Sequence, residues 1–222
     1  MKIDKQTQEV LKNFLLHNPS ILLTKDKLRM VGVAENIRGE YEHTLDFPNF
    51  GIYDLKKFIS VMNELSTDEV DFFPEENYCV VGKKPRQFKF FASAEENLKI
   101  SKDDVKFPQD FELKFTLKND ELTLLKKLSL SQGFSHLNIH NKNGYLQIVV
   151  KDKGIREGNN FSIDLEDKVI DNRYDLYIPK ETLMFISSDY DVRISSKLIM
   201  ELSSTSIPLK YFIKFQTGSK FV

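Results

Sequence analysis

The chain has 222 residues, is 41% hydrophobic and carries 18 Phe, enough to fill two cores of ordinary domain size. Its 32 Lys and Arg nearly balance 33 Asp and Glu, so a uniformly basic coat for nucleic acid is excluded, although a basic surface offset by an acidic one is not. No apolar run reaches the roughly 20 residues of a membrane span, and the single Cys79 rules out an internal disulfide or a CxxC metal site. The charged start Met1-Lys2-Ile3-Asp4-Lys5 does not read as a signal peptide, so a soluble intracellular protein is expected.

In chain order, Asp4 to about His17 reads as a helix. Asp4 suits an N-cap, Val10, Leu11, Phe14 and Leu15 recur at helical spacing, and Asn18-Pro19 ends the run. Ile21-Leu22-Leu23 and Leu28-Arg29-Met30-Val31 read as paired strands around a turn at Thr24-Lys25-Asp26-Lys27, and another strand is expected from Glu40 to Phe47, ending at Pro48. Ile52 to Leu65 reads as a second amphipathic helix with Ile52, Leu55, Phe58, Ile59 and Met62 on one face. Short strands follow at Val70-Phe73, Tyr78-Val81 and Gln87-Phe91, the middle one holding Cys79 as a buried thiol.

Residues 93–109 are polar and charged, with apolar Leu98, Ile100, Val105 and Phe107 among them, and read as a linker. Phe111 to Leu117 alternates as a half-buried strand does. A helix and paired strands follow, with a hairpin turn at Asn141-Lys142-Asn143-Gly144. Pro179 is placed to open a short fourth helix, and Leu209 to Phe215 is the closing strand.

The two halves echo each other. Val10-Leu11-Lys12-Asn13-Phe14 is matched by Leu124-Leu125-Lys126-Lys127-Leu128, Leu28-Arg29-Met30 by Leu146-Gln147-Ile148, and Phe58-Ile59-Ser60 by Phe185-Ile186-Ser187, in the same order. The expectation is an α+β chain of two similar domains, 1–92 and 110–222, joined by 93–109, each an antiparallel sheet with two helices.

Catalytic signatures are missing from the sequence. There is no glycine-rich phosphate loop, no GxSxG and no HExxH, so neither an enzyme nor a cofactor is expected. His136 and His140 fall in a stretch that alternates like a strand, which separates them too far for one zinc, so no metal is expected either. Acidic pairs such as Asp103-Asp104 fall in loops. What stands out is lysine on the helices: Lys5 and Lys12 on one face of the first, Lys56 and Lys57 on the second, Lys126 and Lys127 on the third, Lys180 on the fourth. On any one helix this is an ordinary solvated face. On all four it points to sequence-independent, salt-sensitive contact with phosphates.

With these residues in hand, the chain resembles the DNA polymerase sliding clamps, most closely those of T4-type bacteriophages. The resemblance rests on Met1-Lys2-Ile3-Asp4-Lys5 with Leu11-Lys12-Asn13-Phe14, on Ile52-Tyr53-Asp54-Leu55, on Ser206-Ile207-Pro208-Leu209 before the last strand, and on the double-unit plan. It implies the PCNA-like clamp fold and a homotrimeric, head-to-tail ring with helices lining a hole for duplex DNA. It also implies tethering of a DNA polymerase, an ATP-driven clamp loader as partner, no membrane, and action in the cytoplasm of an infected bacterial host. The lysines named above become the DNA-facing set. Position further implies a subunit interface between Gln87–Phe91 and Phe161–Leu165, with Phe88, Phe90, Phe161 and Ile163 in contact; internal strands of one sheet are the alternative. A pocket for partner peptides is implied at Ile37, Val105, Phe107 and Pro208, although Val105 and Phe107 fit equally as anchors of the linker to its own domain. A monomeric processivity factor of the same fold and a β-rich viral structural protein without a DNA role are the other readings.

Overall fold

The structure, a computed structural model, describes residues 1–101, 103–142, 144–152, 158–169 and 174–221. They fall into two units, Met1–Val105 and Lys106–Val222.

The first unit begins with helix α1 (Lys5–Leu15), started by the Asp4 carboxylate, which accepts the Thr7 N–H at 2.8 Å and the Thr7 hydroxyl at 2.9 Å. Strands β1 (Ile21–Leu23), β2 (Lys27–Val31), β3 (Ile37–Glu42) and β4 (Phe50–Ile52) follow, then helix α2 (Leu55–Glu64) and strands β5 (Val70–Phe73), β6 (Tyr78–Lys83) and β7 (Arg86–Phe91). The last three form an antiparallel sheet in the order β5-β6-β7. Val10, Leu11 and Phe14 of α1 and Leu55, Phe58 and Ile59 of α2 are buried, so each helix spends one stripe on the core. The contact is close: a Cβ on Gly39 of β3 would lie 2.7 Å from the Phe14 ring.

Three expectations for this unit need correction. β1 and β2 do not pair with each other. β1 pairs with β4, Ile21 opposite Ile52, and β2 with β3, Met30 opposite Gly39. The predicted strand over Glu40–Phe47 instead begins at Ile37 and ends at Glu42, because Phe47 leaves the strand to join Phe72 at 6.0 Å between ring centroids. Ile52 belongs to β4 rather than α2, since the Asp54 carboxylate accepts the Lys57 N–H at 2.9 Å and so starts the helix at Leu55.

The second unit contains β8 (Leu113–Leu117), helix α3 (Asn119–Ser131), β9 (His136–Lys142), β10 (Tyr145–Lys151), β11 (Phe161–Val169), β12 (Tyr174–Pro179), β13 (Tyr190–Ser195), β14 (Ile199–Ser204), β15 (Leu209–Lys214) and β16 (Lys220–Phe221). One sheet runs β11-β10-β9-β12-β16, and β8-β13-β14-β15 are consecutive neighbours in another. Every pairing between named strands within each unit is antiparallel. Asn143 of the expected hairpin turn lies outside the described residues; beside it Gly144 has φ +86°, and its N–H donates to Asn141 Oδ1 at 3.1 Å.

The expected fourth helix is a single 3-10 turn, Lys180–Leu183, closed by the Thr182 hydroxyl donating to the Pro179 carbonyl at 2.7 Å. Phe185, the counterpart of Phe58 in the repeat, therefore lies in irregular chain. It is buried against Tyr211, 5.0 Å between centroids, and the Tyr190 hydroxyl donates to the Ile186 carbonyl at 2.7 Å. These aromatic anchors hold the segment without a helix, so the second unit has one α-helix among its described residues. At the start of α3 the N-cap residue is Lys118, whose side chain offers no acceptor, so the cap is supplied by other side chains. Asp189 accepts the Asn119 N–H at 2.8 Å and pairs with Lys118 at 3.0 Å, while Glu121 accepts the Lys118 N–H at 3.0 Å. These donors, the Asn119 N–H first, hold the Asp189 carboxyl below the usual range.

Because Phe14 occupies the space where a side chain at 39 would go, Gly39→Val should destabilise the first unit by about 2 kcal/mol. Thermal denaturation should show a clearly lowered midpoint; an unchanged midpoint would mean that α1 does not rest on β3 in this way.

Candidate nucleic-acid interface

The helices leave their polar faces to solvent, and that is where the lysines lie. Lys5 on α1 and Lys56 and Lys57 on α2 are exposed. Lys12 is half-buried and its ammonium sits 2.9 Å from the Glu9 carboxylate, one turn away. The Lys57 ammonium lies 5.5 Å from the centroid of the Phe88 ring. In the second unit Lys127 is exposed, while Lys180 is half-buried on the 3-10 turn, its backbone N–H donating to the Ser135 carbonyl at 3.1 Å. Exposed Glu9, Glu64 and Asp120 interrupt the basic surface, so no helix face is uniformly positive. Mobile ammonium groups spread thinly in this way meet phosphates at many geometries and grip none of them.

Lys126 departs from the set. Its ammonium donates to the Phe185 carbonyl at 2.7 Å and lies 5.7 Å from the Phe185 ring centroid. Burial pushes its pKa down to about 8. Lys126 and Lys127 read alike as a sequence pair, yet one ties α3 to the chain after the 3-10 turn and the other faces water. The sequence reading also missed Leu124 and Leu130, 43% and 59% exposed on α3. The signal was present: Leu122, Leu124, Leu125, Leu128 and Leu130 recur too densely for one buried stripe.

The residues expected to form a peptide pocket divide between the units. Ile37 is buried at the start of β3, and the N–H of half-buried Val105 donates to a Glu40 carboxylate oxygen at 2.5 Å. In the second unit Phe107 is half-buried and Pro208 exposed. The Arg193 guanidinium lies 5.2 Å from the Phe107 centroid and 5.5 Å from that of Phe111, and is ion-paired with buried Glu201. On the first unit, Asp104 pairs with Lys27 at 2.9 Å and Arg29 at 2.7 Å, and their hydrogen bonds draw its carboxyl below the usual range. These charged pins, on Asp104 and Arg193, were invisible in a linker read by composition alone.

The strands expected at a subunit interface both end their sheets: β7 in β5-β6-β7, and β11 in its five-stranded sheet. Phe88 and Phe90 lie on the α2 side of β7, with Phe90 5.3 Å from Phe58 and 4.7 Å from Phe88 between centroids. Phe161 and Ile163 are half-buried opposite Val150 and Ile148 of β10.

Among the described residues no group of three or more His, Cys, Asp and Glu is placed to hold a metal ion. No helix is long and apolar enough to cross a membrane. Cys79 is buried in β6, and desolvation pushes its thiol up to about 12.

No protein-family model matches the chain. Two curated proteins do, end to end. The sliding clamp of Vibrio phage KVP40 is 29% identical over 226 residues, covering 96% of this chain and 98% of that one. The sliding clamp of Escherichia phage RB69 is 24% identical over 230 residues, covering 99% and 98%. Solved structures share the fold at far lower identity. The PCNA2-PCNA3 complex of Sulfolobus tokodaii gives a TM-score of 0.66 at 12% identity over 94% of this chain and 95% of that one. The proliferating cellular nuclear antigen of Entamoeba histolytica gives 0.63 at 10% over 94% of each. The Helicobacter pylori beta clamp bound to a DNA ligase peptide gives 0.67 at 11%, over 97% of this chain and 64% of that longer one.

The tie at Lys126 has a pH signature. Its folded pKa of about 8 lies below the ordinary 10.5, so the unfolded chain binds the proton more tightly than the folded one. The stability cost is fully present below about pH 8 and fades as pH rises toward 10.5. Raising the pH from 7 to 10 should therefore stabilise the protein relative to Lys126→Met, read from paired melting curves. A constant difference between the two would show that the ammonium is not desolvated.

Proposed function

The chain belongs to the sliding-clamp family, and on that premise we propose that it encircles duplex DNA and tethers a replicative DNA polymerase for processive synthesis. The observation that carries this reading is the end-to-end similarity to the KVP40 sliding clamp, 29% identical with 98% of that protein covered. The exposed lysines of α1, α2 and α3 suit the DNA side, since a ring held by topology needs contacts weak enough to slide. The ring would comprise three copies joined head to tail through β7 of one and β11 of the next, an arrangement that closes when the rotation between copies is right.

Opening such a ring requires work, and the sequence has no nucleotide-binding motif of its own. A separate ATP-driven loader would supply it, in the cytoplasm of a bacterial host. The role proposed is a non-enzymatic one. Partner proteins would reach the ring through apolar peptides, with Ile37 and Val105 on the first unit and Phe107 and Pro208 on the second as the candidate contacts.

Topological retention separates this reading from electrostatic adhesion. Protein loaded on nicked circular DNA should withstand moderate salt and be lost once the circle is cut. Gel filtration of the DNA-bound fraction before and after linearisation reads the difference; equal loss from circles and linear molecules would refute encirclement.

A further inference from the structure

Beside β5 the first unit has a groove of about 600 Å³, lined by none of the helix lysines and none of the expected peptide-pocket residues. Its floor is apolar. Val70 and Phe47 are buried, and half-buried Phe72 lies 6.0 Å from Phe47 and 5.2 Å from Phe50 between ring centroids. Half-buried Pro48 and exposed Phe73 and Pro74 complete the apolar lining. Asp46 stands on the segment that follows β3 and Asp71 on β5 itself, so both walls carry a carboxylate.

The strand beside this groove has backbone groups to offer. Within its sheet β5 pairs with β6 alone. On its other side Lys2 bridges to Glu69, and the Val70 N–H donates to the Met1 carbonyl at 2.9 Å. Backbone groups alternate in direction along a strand, so Phe72 turns its N–H and C=O to the same side as Val70, where no described strand pairs with them.

The surroundings are acidic. From Asp68 to Glu76 the chain carries the carboxylates of Asp68, Glu69, Asp71, Glu75 and Glu76 and no basic side chain. Lys25 pairs with Asp46 at 3.2 Å and the terminal ammonium with Asp71 at 3.4 Å, but the two carboxylate side chains are 82% and 58% exposed. Pairs this open contribute little and exchange for another cation at small cost. A rim of this sign repels phosphates, which argues against nucleic acid as the occupant, and an apolar floor beside a free strand edge fits an extended peptide.

We propose that this groove receives an extended segment of a partner protein in which apolar side chains alternate with lysine or arginine. An apolar side chain would enter between Phe47, Phe72 and Pro74, the cations would meet Asp46 and Asp71, and the segment's backbone would pair with that of Phe72. Apolar contact and strand pairing would supply affinity, and the carboxylates would select basic segments over acidic ones. Binding here does not need the ring: a chain that failed to encircle DNA should still take the peptide.

Fluorescence anisotropy on the full-length protein tests the groove, with the labelled peptide Gly-Lys-Leu-Lys-Phe-Lys-Gly as probe. The probe should bind saturably and weaken as salt rises. Versions with Glu for each Lys, or with Ser for Leu and Phe, should bind at least about tenfold more weakly. Asp46→Lys combined with Asp71→Lys should cause a similar loss, with an unchanged melting curve showing that the fold survives, and Phe73→Ser should weaken the probe without altering its salt dependence. Amide resonances of Phe47, Asp71, Phe72 and Phe73 should shift on titration. No binding at millimolar protein, an acidic peptide that binds equally well, or full binding by the double variant would overturn the proposal. Displacement of the probe by a single-stranded oligonucleotide would also overturn it and assign the groove to nucleic acid; self-association of the chain that the probe dissolves would assign it to a second copy.

Discussion

Each helix in this protein must bury one apolar stripe against a sheet, and most of what the molecule presents to the outside follows from that constraint. Phe14 fits over Gly39, and Phe58 fits beside Phe90. On α1 and α2, once those stripes are committed, the opposite faces are left to lysine, glutamate and water. A surface made this way is diffuse. It suits a partner that moves past it, because no arrangement of fixed donors needs to be broken at each step.

The same economy governs the sheets. A sheet that ends in an uncovered strand offers unpaired backbone groups, which most proteins blunt with charges, bulges or a covering loop. Here β7 carries Arg86 and Lys89, and β11 carries Asp164 among its described side chains, each beside half-open apolar groups. An edge of that kind discourages pairing with its own kind and encourages pairing with the other. That is the requirement for a head-to-tail assembly that closes on itself. Charged and cation–π contacts also pin the polar stretch within each unit: Asp104 to Lys27 and Arg29 in the first, Phe107 to Arg193 in the second.

Helix α1 was legible from the sequence because its cap, its stripe and its terminating Asn18-Pro19 are all local. β5, β6 and β7 were legible from their short β-branched and aromatic runs. What failed was non-local. Nothing within Ile21–Leu23 says that its partner is β4 rather than β2, since that choice is made by packing with residues far along the chain. The start of α3 depends on Asp189, some seventy residues later, and the fourth helix is replaced by a turn because Tyr190 and Tyr211 anchor the segment by other means. For the site, lysine type and helical spacing picked out residues on the solvent side of the helices but could not separate Lys126 from Lys127. Adjacent residues on a helix point about 100° apart, and only the position of the Phe185 carbonyl decides which ammonium is spent.

The central claim is that copies of this chain close into a ring around DNA, so direct imaging of the assembled protein is the decisive measurement. Electron micrographs of the purified protein, with and without a loader and primed DNA, should show closed particles of three copies, six similar units around a central hole. Particles that stay single at all concentrations, or that form open chains without closure, would contradict the account.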